Sequence, residues 1–162
     1  MRGADADAPT QEMVDMETLM KPPTAAAPIA APIVVTHGSG VRFDIQIRSH
    51  RIVVDQTSRG GGDDVGPEPI ELLGAALGSC IAYYVSQFCR ARSLPCDDLV
   101  VTVDQRMADA PSRIAAFAVR VVLPAPFPER YLDAIERVVR SCPAHNTLAT
   151  GARIDVSASR QE

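Results

Sequence analysis

The sequence predicts an α+β domain in which antiparallel strands wrap a long central helix. Three observations predict it. Residues 41–47 alternate apolar and polar side chains, the period of a strand with one wet face. Residues 69–92 hold a long run of small and apolar side chains opened by proline and acids. Beyond it lie two strand-like runs joined by ADAPS, a hairpin-like connection. Strands, then a helix, then a hairpin, further helices and a last strand make an α+β order rather than an alternating βα one.

Residues 1–31 read as an unfolded Ala/Pro-rich tail, and residues 32–160 as one folded domain. Prolines in KPPTAAAPIAAP remove amide donors and block helix. Only QEMVDMETLM in that tail has the makings of a helical turn or two.

IVVTHGSGV, VRFDIQIRS and RIVVD predict a small antiparallel meander, with Val41, Phe43, Ile45 and Ile47 on one face. TSRGGGDDVGP follows as a flexible loop whose glycines suit a hinge or a close approach of backbone. It lacks the GK[ST] of a phosphate loop. Pro69 then opens a helix running to about Arg92, with Glu68 and Glu71 complementing the dipole of its first turn. Leu72, Leu73, Ala75, Ala76, Leu77, Ile81 and Ala82 make its middle apolar on nearly every side, which predicts a buried helix. Its small residues would admit close neighbours, from one chain or from two.

LVVTVDQRM and RIAAFAVRVVLP predict paired strands. In FPERYLDAIERVVRSC, Tyr131, Leu132, Ile135, Val138 and Val139 recur at helical spacing. Pro143 restarts a short helix through Leu148, and GARIDVSAS reads as a closing strand with Ile154 and Val156 on one face.

Composition narrows the function. The 162 residues carry 46% hydrophobic side chains but only 4% aromatic ones and no Trp, so the core is built from Val, Leu, Ile and Ala. A net charge of −4 argues against a nucleic-acid partner. No uninterrupted apolar run reaches the roughly 20 residues that span a bilayer, and MRGADADAPT lacks the apolar core of a signal peptide. A cytoplasmic protein with reduced thiols is therefore expected. The spacings of Cys80, Cys89, Cys96 and Cys142 match no common zinc pattern, even with His37, His50 and His145, and no cofactor is implied.

The thiols are the chemistry-bearing groups. Cys80 ends ELLGAALGSC on the buried helix. Cys89 lies nine positions on, about half a turn out of phase, so those two cannot bridge. Cys89 and Cys96 read as small core residues. Cys142 precedes Pro143 and so falls at a helix N-terminus, where partial positive charge and free N–H groups favour thiolate. By that local reasoning Cys142 is the more acidic thiol, with His145 three residues on.

PIELLGAALGSC and CPxHNTL, set about 60 positions apart in this element order, together resemble the two cysteine segments of the OsmC/Ohr family of thiol-dependent hydroperoxide reductases. The resemblance runs along residues 33–158. It implies an OsmC-like fold: an intertwined homodimer with a curved antiparallel sheet around each central helix. It implies that Cys80 attacks an organic hydroperoxide, that Cys142 resolves the sulfenic acid, and that an external dithiol such as a lipoylated protein reduces the disulfide. It also implies a Glu ten residues before the first cysteine, paired with an Arg from the N-terminal strands. Here Ile70 stands at that position and Glu71 one step later; Arg42, Arg51 and Arg59 are the candidate arginines. Two further readings remain open. One is a module of the same fold, weak as a peroxidase, that binds an apolar ligand or senses redox state. The other is a thiol hydrolase or transferase using Cys142 and His145, beside Asn146.

Overall fold

A computed structural model describes residues 31–160. The expected tail, apart from Ala31, and its helical turn lie outside the described residues. The predicted meander forms as β1 (Val34–His37), β2 (Phe43–Ile47) and β3 (His50–Val54), antiparallel in that order. Cross-strand partners such as Val35–Ile45 and Ile45–Ile52 put β-branched side chains on one face.

The loop after β3 is pinned rather than flexible. Asp55, only 2% exposed, accepts backbone N–H groups from Gln56 at 2.8 Å, Asp63 at 3.0 Å and Val65 at 3.3 Å. Burial alone would push its carboxyl up. The three amide donors and the positive charge of Arg42 outweigh that and hold it below the usual carboxylate value. The close approach expected of the glycines is real. A Cβ on Gly62 would strike the Gln56 carbonyl, and one on Gly66 the Val53 carbonyl. Glu68 closes the loop by accepting the Thr57 amide at 3.2 Å and hydroxyl at 3.1 Å.

Helix α1 spans Glu71–Arg90, two residues inside the predicted bounds at each end. It is not buried all round. Gly74, Leu77, Gly78, Ile81, Val85, Phe88 and Cys89 form one buried stripe, while Leu73 and Tyr83 on the other side are 43% and 58% exposed. By length and composition α1 is apolar enough to cross a membrane, against the expectation from the apolar runs. Here its buried stripe is a core face, packed on the elements that follow it.

Those elements are β4 (Val100–Asp109), β5 (Ser112–Val122), α2 (Leu132–Arg140) and α3 (Pro143–Thr150). β4 and β5 form the predicted hairpin, irregular only at Arg106 and Met107. The pairs Val101–Val121, Val103–Val119 and Gln105–Phe117 share its inner face. Gly78 lets β4 approach closely, since a Cβ there would lie 3.0 Å from Val103 Cγ2. Ile135 and Val138 of α2, with Phe127, complete the core. The meander, by contrast, does not pack on α1 within the chain.

The predicted closing strand does not form. Residues 151–160 carry no strand hydrogen bonds, and Ile154 and Val156 are 83% and 88% exposed. Alternation marks a segment able to pair, but a strand exists only where a neighbouring edge is free for it.

Replacing Gly66 by Ala forces backbone apart and is expected to lower stability by about 1–3 kcal/mol in urea unfolding. Asp55→Asn is expected to lower the urea midpoint at pH 7. Because the folded-state pKa is depressed, that deficit is full above about pH 4 and shrinks as pH falls further and wild type becomes protonated.

Candidate functional site

Cys80 and Cys142, 62 positions apart in the chain, meet in the structure. α1 presents Cys80, half-buried, at the edge of its buried stripe. Ile135 and Val138 seat α2 on that same stripe, and the chain turns at Ser141 through an αR cap. Cys142 follows with extended backbone as the N-cap of α3, with Pro143 at the first helical position. Its side chain is wholly buried, and its thiol lies near enough to that of Cys80 for the two to interact.

The acidity expected of Cys142 is corrected by this burial. Loss of solvent pushes the thiol up, and the contact with Cys80 adds to the rise. The amides of His145 and Ala144 favour the thiolate, but they make no close cap hydrogen bond and do not prevail. A helix N-terminus stabilises a thiolate by a partial charge, whereas removing a sulfur anion from water costs more.

Tyr84, which the sequence reading did not single out, lies one helical turn beyond Cys80 and is half-buried. Burial raises its phenol pKa, and charge on Cys80, Cys142 or Tyr83 would raise it further. It therefore remains a neutral phenol at physiological pH, within electrostatic reach of both thiols. The signal was its position four residues after Cys80, the same face of a helix.

The other predicted residues are dispersed. Glu71 accepts the Glu68 amide at 2.8 Å and so ties the approach to α1 to its first residue. It lines a shallow cavity of about 400 Å³ between α1 and β4, away from the thiols. Arg42 donates to the Ser39 hydroxyl at 2.9 Å, and Arg51 pairs with Asp44 at 2.8 Å, 66% exposed. Both arginines sit at the meander, which does not reach α1 within the chain. The Arg59 candidate lies exposed in the turn after β3. His145 Nδ1 lies 3.3 Å from Asn146 Oδ1. His145 borders a mostly apolar groove of about 610 Å³ between β5 and α2, lined by Phe117, Val119, Val121, Leu132 and Ile135, with Arg120, Glu136 and Arg140 also on it. That groove runs to Ile81, next to Cys80, but the thiols themselves do not line it. Among the described residues, no cluster of three metal-binding side chains occurs.

An α+β chain with a buried cysteine docked on a second cysteine of its central helix defines a class of dithiol protein. The family model described as OsmC-like protein matches residues 60–157, more than half of the chain, and the chain belongs to that family. Solved structures agree on the fold. An osmotic stress induced and detoxification response protein from Psychrobacter arcticus is 16% identical with a TM-score of 0.68, over 76% of this chain and 91% of that one. An OsmC-like protein from Mycoplasma pneumoniae is 18% identical with a TM-score of 0.66, over 76% and 89%. An organic hydroperoxide resistance protein OsmC from Legionella pneumophila is 14% identical with a TM-score of 0.52, over 74% and 90%. The comparison with curated proteins gives no match.

In native protein, Cys80 is expected to react with iodoacetamide before Cys142. Labelling of Cys142 should accelerate as pH rises above the ordinary thiol range, read by peptide mass spectrometry at timed quenches. Equal rates for both at pH 8 would contradict the burial of Cys142.

Proposed function

We propose that this chain reduces organic hydroperoxides by a two-cysteine mechanism. The observation that carries the reading is the contact between the Cys80 and Cys142 thiols in a member of the OsmC-like family. The Cys80 thiolate attacks the outer oxygen of ROOH. The O–O bond breaks, Cys80 becomes a sulfenic acid, and the alkoxide leaves as alcohol after taking a proton. The Cys142 thiol then attacks the Cys80 sulfur, giving a disulfide and water. An external dithiol, such as a lipoylated protein, returns both cysteines to thiols and is itself oxidised. Contact with Cys142 favours closure of the disulfide before Cys80 is oxidised further.

Half-exposed Cys80 is the thiol that a peroxide can reach, and buried Cys142 is the one already beside it. Tyr84, a neutral phenol, lies one helical turn beyond Cys80 and within electrostatic reach of both thiols. The apolar groove between β5 and α2 suits an alkyl substituent rather than hydrogen peroxide itself.

The working form we infer is a homodimer in the cytoplasm, without nucleic acid or membrane. Three apolar features of one chain are left without cover: Val34 and Val35 on β1, Leu73 and Tyr83 on α1, and Ile154 and Val156 in the extended C-terminal segment. A second copy would cover them. It would also supply a meander to the outer face of α1, where Arg42 or Arg51 of one protomer and Glu71 of the other could approach a thiol pair.

A second reading, a peroxidase-weak module that binds an apolar ligand or senses redox state, is favoured by Ile70 and by Glu71, whose carboxylate is engaged by the Glu68 amide. The decisive measurement is consumption of cumene hydroperoxide with a dithiol reductant. Wild type should turn over, Cys80→Ser should lose at least 100-fold in rate, and Cys142→Ser should accumulate a sulfenic acid that dimedone traps. Free Cys80 and Cys142 after exposure to excess hydroperoxide would defeat the peroxidase reading in favour of the binding one.

A further inference from the structure

A second pair of thiols lies at the far end of the same helix. The chain leaves α1 and folds straight back. The amides of Arg92 at 3.1 Å and Leu94 at 2.9 Å both donate to the Cys89 carbonyl, and Ser93 takes a left-handed φ of 52°. Pro95 follows, and Cys96 then packs against the core cluster that contains Cys89. The turn and this packing bring the two thiols near enough to interact. Neighbouring thiols of this kind can close to the roughly 2 Å of a disulfide bond when the Cα atoms lie within about 7 Å.

We propose that Cys89 and Cys96 form a second dithiol, oxidised reversibly by small aliphatic disulfides to a bond that staples the C-terminal end of α1 to the approach of β4. The site uses neither Cys80 nor Cys142, and it stands whether or not the chain reduces peroxides. Cys80 and Cys89 lie on opposite sides of α1, so the two pairs do not exchange partners directly.

Exposure sets the order of events. Cys96 is half-buried and Cys89 is wholly buried. The Cys96 thiolate attacks the external disulfide RSSR, forming a Cys96–SR mixed disulfide and releasing RS⁻, which takes up a proton. Cys89 then attacks the Cys96 sulfur, loses its own proton, and releases the second RSH. Two protein thiols are oxidised and one disulfide is reduced to two thiols. Burial first, and the Cys96 contact second, push Cys89 up to about 12. The second step is therefore slow at neutral pH and accelerates as pH rises, and the mixed disulfide has a measurable lifetime.

The test uses the full chain carrying Cys80→Ser and Cys142→Ser, incubated natively with hydroxyethyl disulfide at pH 7.5 and pH 9. Trypsin cuts after Arg90 and Arg92, so Cys89 and Cys96 fall on separate peptides that only their own disulfide can join. The expected result is loss of both remaining thiols, a joined peptide pair that forms faster at pH 9, and a Tm raised by roughly 5–10 °C, all reversed by dithiothreitol. Adding Cys96→Ser should abolish the Tm rise. Persistence of two free thiols, adducts that never close, or a disulfide found only between chains would overturn the proposal.

Discussion

The docking of α2 and α3 on one stripe of α1 is the constraint on which the rest of the structure depends. Ile135 and Val138 bury themselves against the face that Leu77, Ile81 and Val85 present. The short turn at Ser141 then leaves Cys142 no room outside the core. Its burial is thus a by-product of helix packing, and its placement against Cys80 follows. The same packing decides the chemistry available to it. A cysteine at a helix N-terminus in water would gain thiolate character; sealed in the interior against a second sulfur, it loses it.

The N-terminal half is organised by a different interaction. Asp55 sits at the end of β3 and gathers three amides of the following loop onto one carboxylate. Backbone N–H groups are strong donors that must be satisfied, and an acceptor with no solvent competing for it fixes where the chain runs. Glu68 and Glu71 extend the same logic to the start of α1, each accepting a main-chain amide. These two acids therefore serve the loop and the entry to α1, and the meander stands clear of α1 within one chain.

α1 organises two sulfur pairs along its length. Cys80 meets a residue from the end of the domain, and Cys89 meets one from the turn directly after the helix. In both pairs one member is wholly buried and the other half-buried. In each pair the half-buried member is the more open to solvent. The difference lies in sequence separation. The first pair depends on the tertiary docking of α2, whereas the second needs only a tight local turn.

Most of the architecture was legible in the sequence because it rests on periodicity. The meander, the hairpin, α1 within two residues, and the start of α3 at Pro143 follow from local patterns that burial rewards. The motifs carrying Cys80 and Cys142 were legible as well. The closing strand was not decided by its alternation, because residues 151–160 pair with no strand edge within the chain. Nor could spacing reveal that α1 buries a single stripe, that Cys96 turns back onto Cys89, or that Asp55 organises a loop. Sequence by itself determined which segments become helix or strand and where the thiols sit on them, since those are properties of a few consecutive residues. Only the tertiary structure decided which sulfurs touch and how acidic Cys142 is, because contact and desolvation depend on residues far apart in the chain.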